Sequence, residues 1–141
     1  MTRDDIAALF ARRQEAVAQH DTTALVKLHS EDGVVESPLA GGAATGREAI
    51  GRVYRALFEA FPDVTLKTDD LLIDGQRVVL VGRLAGSDTG GFMGMAPTGR
   101  SFDIAIVLLF ELADGLIKRE RRIYDFMGLL VQVGAIKAKP V

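Results

Sequence analysis

The stretch Arg119-Glu120-Arg121-Arg122-Ile123-Tyr124-Asp125-Phe126-Met127-Gly128-Leu129-Leu130 begins with four consecutive charges and runs through an apolar strand into a short helix. Charges are costly inside a small domain unless they are paired or used. This segment therefore either lines a polar cavity or lies on an open sheet face. Strand alternation puts Arg119, Arg121, Ile123 and Asp125 on one face and Glu120, Arg122 and Tyr124 on the other. Alternation alone leaves open which face looks inward.

Working outward from that strand, Asp114-Gly115 is a hairpin turn and Phe102–Leu112 is its antiparallel partner. Ser87–Arg100 holds four glycines and a proline and reads as a long loop. Further upstream, Asp74-Gly75 joins Val64–Ile73 to a strand at Arg77–Leu84. The N-terminal half is helical. Ile6, Leu9, Phe10, Arg13 and Val17 follow helical spacing behind a Thr2 cap, which predicts a helix to about His20. Asp21-Thr22-Thr23 caps a short second helix that ends at His29. Glu31-Asp32-Gly33 reads as a turn, Val34–Ser37 as a short strand stopped by Pro38, and Leu39–Gly46 as loop. Arg47–Phe61 is a third helix with Ile50, Val53, Tyr54, Leu57 and Phe58 on its apolar stripe. Gly128–Gly134 closes the chain as a helical turn with Gly134 as its stop. Helices first and an antiparallel meander afterwards is an α+β arrangement, expected as a strongly curved sheet wrapped round the first helix.

The 141 residues point to one domain, 1–141, with its own core. A net charge of −2 supplies no field for nucleic acid, and the longest apolar run, Ile104–Phe110, is far too short for a membrane span. With no cysteine, thiol catalysis, disulfides and thiolate metal sites are excluded. His20 and His29 lack metal-ligand spacing, so no metal is expected. No secretory signal is visible, and a cytoplasmic protein is the expectation.

Three segments carry a family resemblance: Gly91-Phe92-Met93-Gly94-Met95-Ala96-Pro97-Thr98-Gly99-Arg100, Asp114-Gly115-Leu116-Ile117, and Asp125-Phe126-Met127-Gly128-Leu129-Leu130-Val131-Gln132-Val133-Gly134. Together they resemble the SnoaL-like polyketide (ester) cyclases of the NTF2-like superfamily. The resemblance implies a cone-shaped α+β barrel, usually a homodimer, with a deep apolar pocket. It implies an intramolecular aldol reaction run by an aspartate acid/base, with no metal or organic cofactor. Counted from the Asp-Gly turn, the family's acid/base aspartate falls at Arg122, as does the catalytic aspartate of related epoxide hydrolases. A pocket histidine of the cyclases falls at Leu108. The second aspartate of the motif is retained as Asp125. A guanidinium stays protonated, so Arg122 is no base.

The candidate catalytic residues are therefore Asp125 as acid/base or helix cap, Arg122 as electrophile, and Tyr124. Arg121 competes with Arg122 for the inward position, the alternative being an outer face with charge pairs to Asp103 or Glu111. Glu36 stands at the expected pocket rim, as a second carboxylate or an arginine partner. Arg83 alternates with Val79 and Val81 and is expected to point inward with them, or to snorkel at the strand end. The hydroxyl of Tyr54, like that of Tyr124, is a candidate donor to a substrate carbonyl, the alternative being a core tyrosine. Phe58 and Leu108 are candidate pocket residues, while Phe92, Met93 and Met95 form a candidate lid or a dimer contact. The expected ligand is a hydrophobic, oxygenated small molecule, undergoing proton abstraction next to a carbonyl. Non-catalytic binding and a dimerisation module are the alternatives.

Overall fold

The computed structural model describes residues 1–138; the last three residues of the expected 1–141 domain lie outside the described residues. The elements are α1 (Arg3–Ala18), α2 (Thr22–Lys27), β1 (His29–Ser37), β2 (Gly42–Thr45), α3 (Arg47–Ala60), β3 (Thr65–Asp74), β4 (Arg77–Ser87), β5 (Ser101–Ala113), β6 (Leu116–Tyr124) and α4 (Phe126–Gln132). They form an α+β fold around one six-stranded sheet in the order β2-β1-β6-β5-β4-β3. All neighbours are antiparallel except β1 and β6, which run parallel.

The caps are where local chemistry puts them. Thr2 and Asp5 exchange reciprocal side-chain-to-backbone bonds at the start of α1. Asp21 accepts from Ala24 N–H at the start of α2. Helix α1 stops at Ala18, two residues before His20, whose left-handed backbone (φ 52°) turns the chain into α2. The Asp114-Gly115 turn has positive φ at both residues, 53° and 78°, the geometry that the twist of a two-residue hairpin requires.

Two expectations for the region before α3 are corrected. Glu31-Asp32-Gly33 is not a turn: it lies within β1, whose pairing with β6 slips between His29 and Val34. The slip absorbs the polar residues without ending the strand. Leu39–Gly46 is not all loop, because Pro38–Ala40 forms a 3-10 turn and Gly42–Thr45 returns as β2 against β1. The described residues thus make six strands where five were expected.

The core is set by β5. Phe102, Ile104, Ile106, Leu108, Phe110 and Leu112 alternate inward and are buried. Each such side chain is worth about 1.5–3 kcal/mol when fully removed from water. Opposite them on β4, Val78, Leu80 and Leu84 face the same way, so Val79, Val81 and Arg83 face out. The same register settles the orientation of β6. Ile106, Leu108 and Phe110 stand opposite Tyr124, Arg122 and Glu120 respectively, which puts those three polar side chains inside the cone. Helices α1 and α3 close the cone, contributing Ile6, Leu9, Phe10, Ile50, Tyr54 and Phe58 to the same core.

Candidate ligand pocket

Glu120 is the centre of the polar interior. It is fully buried. Its Oε1 accepts from the Tyr54 hydroxyl at 2.6 Å and from Arg13 Nη2 at 3.3 Å. Its Oε2 accepts from Arg122 Nε at 2.7 Å. Burial would raise its pKa, but the guanidinium charges of Arg122 and Arg13 overcome this and hold it well below the usual carboxylate range. Tyr54 is driven the other way: burial, then the Glu120 charge, push its phenol up to about 12. It is a neutral donor locked onto Glu120.

The two arginines each use an aromatic face as well. Arg13 lies 4.9 Å from the centroid of Phe110 and Arg122 lies 4.8 Å from that of Tyr54. His29 completes the cluster. Its Nδ1 faces the Leu25 carbonyl at 2.9 Å, which can only accept, so Nδ1 carries the proton. Nε2 then points at Glu120 Oε1 from 3.4 Å. Whichever form His29 takes, two guanidinium groups and one carboxylate leave the cluster with excess positive charge.

The cavity beside this cluster has two compartments that meet at Arg122, Leu39 and Leu57. The outer vestibule holds about 570 Å³ and runs between α3, the β1–β2 turn and the loop after β4. Its walls are mostly small: Ala43, Ala44, Ala49, Ala56, Gly90 and Gly91, with Phe92 and Met93 on the loop side. The inner slot is narrow, about 40 Å³, and is walled by Phe58, Leu84, Ile106, Leu108, Tyr54 and Tyr124. The Arg122 side chain is only 8% exposed. Its Nε donates to Glu120, its Nη groups make no hydrogen bond to the described residues, and the residue lines both compartments. The Tyr124 hydroxyl sits beside it, 3.5 Å from Ser37 Oγ, with its pKa raised by burial.

The structure gathers Arg122, Tyr124, Tyr54, Phe58, Leu108, Phe92 and Met93 on the cavity. Five expected site residues lie elsewhere. Asp125 is exposed and caps α4, accepting from Gly128 N–H at 2.8 Å. Arg121 is on the outer face of β6, where it shares Glu36 with Arg119 (3.1 and 2.6 Å). Glu36 therefore serves an outer ion-pair cluster, not the pocket. Arg83 also points outward, bonded to Asp103 at 2.7 Å, because the larger apolar residues Leu80 and Leu84 take the inward positions of β4. Met95 lines neither compartment: the Met95 N–H to Phe92 C=O turn carries it outward while Phe92 packs on Phe61, ring centroids 5.2 Å apart.

Sequence reasoning missed the anchoring roles of Arg13, Glu120 and His29. Arg13 did carry a signal, since it occupies a stripe position among Ile6, Leu9, Phe10 and Val17. Among the described residues no group of three or more His, Asp or Glu side chains is placed to hold a metal ion. No helix there is long and apolar enough to cross a membrane.

Residues 8–133 match the SnoaL-like polyketide cyclase family. The chain belongs to that family. Solved structures agree on the fold. AclR from Streptomyces galilaeus, a candidate hydroxylase, superposes with TM-score 0.84 at 23% identity, covering 99% of this chain and 87% of that one. IdmH from Streptomyces antibioticus, a candidate polyketide cyclase, gives 0.76 at 29% identity, covering 91% and 97%. A candidate SnoaL-like polyketide cyclase from Jannaschia sp. CCS1 gives 0.83 at 24%, covering 95% and 94%. No curated protein sequence matches the chain. Within the SnoaL-like family frame, the inward position of β6 opposite Leu108 is here an arginine clamped by Glu120.

Proposed function

We propose that this SnoaL-like protein binds a mainly apolar, oxygenated small molecule, with a carbonyl or enolate oxygen at Arg122 and its body in the vestibule. The observation that carries this is the Arg122 guanidinium, 8% exposed, anchored by Nε to Glu120 and belonging to a side chain that lines both compartments. A vestibule of about 570 Å³ is the size of a small-molecule site. A fixed guanidinium in a water-poor pocket stabilises negative charge developing on oxygen. The reaction class that fits is proton transfer next to a carbonyl, leading to cyclisation or isomerisation, with Tyr124 as the adjacent hydroxyl donor.

Binding without turnover is the second reading. One observation favours it: the carboxylate nearest the slot, Glu120, is held strongly ionised by two arginines and is a poor base. Both readings need the vestibule. Ala56→Phe is expected to fill it and abolish the thermal stabilisation given by any ligand found in a screen of aromatic ketones and enols, leaving the unliganded melting temperature within a few degrees. Undiminished ligand stabilisation would place binding elsewhere.

We also propose that the outer sheet face joins a second copy of the chain. Val81, Val107 and Ile123 lie in register across β4, β5 and β6, and Ile123 is 51% exposed. The Arg77–Glu111, Arg83–Asp103 and Glu36–Arg121 ion pairs border that row. An apolar centre with a charged rim suits a homodimer. Sedimentation equilibrium is expected to give a dimer for the native chain and a monomer for Val107→Glu; a native monomer would remove this proposal.

A further inference from the structure

The charge of the cluster says more about the ligand than the pocket walls do. Arg13 and Arg122 contribute two buried positive charges, and Glu120 contributes the only fixed negative one among the side chains bonded to them. The other titratable groups around Arg122 do not balance the account. Tyr54, from α3, donates its hydroxyl hydrogen bond to Glu120 and stays neutral. Tyr124, on β6 itself, is a neutral phenol beside the Ser37 hydroxyl of β1. His29, from β1, contributes zero or a further positive charge. At the mouth, Arg52 pairs with Glu48 at 3.2 Å, and Glu59 is exposed to solvent. A buried cation without a counter-charge is costly, and the cost is relieved when an anion arrives.

We infer that the pocket takes its ligand as a delocalised monoanionic oxyanion, a carboxylate or the enolate of a 1,3-dicarbonyl on an apolar body, seated on the free edge of Arg122. This rests on the function proposed above and narrows it. The ligand gives up its own acidic proton to solvent before binding, so no protein carboxylate has to remove it, and none faces the slot unpaired. The narrow inner slot admits only the small charged head, and the body remains in the vestibule. A planar guanidinium edge suits two coplanar oxygens sharing one charge.

Two matched probe pairs test this by calorimetry on the intact protein: a 2-aryl cyclic 1,3-diketone with its neutral enol methyl ether, and an aryl carboxylate with its methyl ester. The expected result is that at least one anion binds about 30-fold more tightly than its neutral partner, the gain of a charged hydrogen bond. That preference disappears in Arg122→Met and partly survives in Arg122→Lys. Preference in only one pair identifies which oxyanion the pocket takes. Equal affinity within both pairs overturns the oxyanion inference and leaves the pocket assignment standing. Failure of all four probes to bind overturns both. A preference that persists unchanged in Arg122→Met also overturns the inference, since the charge would then be read elsewhere.

Discussion

Glu120→Ala is expected to cost about 3–5 kcal/mol of folding stability, the usual penalty for removing one partner of a buried ion pair. On a domain of this size that lowers the melting temperature by roughly 10–15 °C. The substitution strips Arg13, Arg122 and Tyr54 of their shared acceptor and leaves two guanidinium groups side by side out of water. Glu120→Gln separates charge from shape, because it keeps an acceptor oxygen but not the compensation. Arg13→Met is the informative contrast. It leaves Glu120 paired one-to-one with Arg122 and so costs less than either change at Glu120, although it too removes a buried residue. Urea midpoints for the three variants check the order; a Glu120→Ala penalty below about 1 kcal/mol would mean that the cluster is hydrated or relaxes freely.

The same cluster fixes the acid limb of the stability curve. The folded-state pKa of Glu120 lies below the ordinary glutamate value of 4.5. The unfolded chain therefore binds this proton more readily than the folded one. The stabilisation is fully present above about pH 4.5 and is lost as pH falls from there through the folded value. Glu120→Gln, which carries no titrating group, is expected to show a flatter loss of stability over that range.

Much of the fold was legible because its signals are local. Both hairpin turns, the α1 and α2 caps and the Gly134 stop are set by neighbouring residues, and the α+β order followed from them. The errors lie where tertiary pairing overrides local chemistry. Glu31-Asp32-Gly33 is turn-like in composition, yet parallel pairing with β6 keeps it in a strand. Arg83 failed for a related reason. Both sets of alternating positions on β4 are apolar, and only the register with β5 decides which is inside. The two faces of β6 were recognised, but choosing between Arg121 and Arg122 needed Leu108 and Phe110 opposite. The polar anchor was harder still. Arg13, His29, Tyr54 and Glu120 come from four different elements before they meet, and no spacing rule connects residues so far apart in the chain.

Arg122→Met is expected to reduce affinity for the oxygenated ligand by about 30-fold or more, whereas Asp125→Asn leaves it unchanged. The contrast opposes the two residues that the strand's sequence made rivals for the same chemistry. Arg122 is buried and lines the cavity; Asp125 is exposed, and its carboxylate is occupied by Gly128 N–H. The arginine variant should still fold, because Glu120 remains bonded to Arg13 and Tyr54 and one of the two buried guanidinium charges is removed. Its loss is therefore read in ligand titrations at unchanged secondary structure. The aspartate variant keeps a good cap, since asparagine serves nearly as well as aspartate at that position, and its stability should change by less than about 1 kcal/mol. Were Asp125→Asn to abolish turnover of a ligand that it still bound, Asp125 would be the working base, and the β6–α4 junction would have to move it into the pocket. Were Arg122→Met to bind as well as the native chain, the guanidinium would be only a structural counter-charge for Glu120, and the case for chemistry at this pocket would go with it.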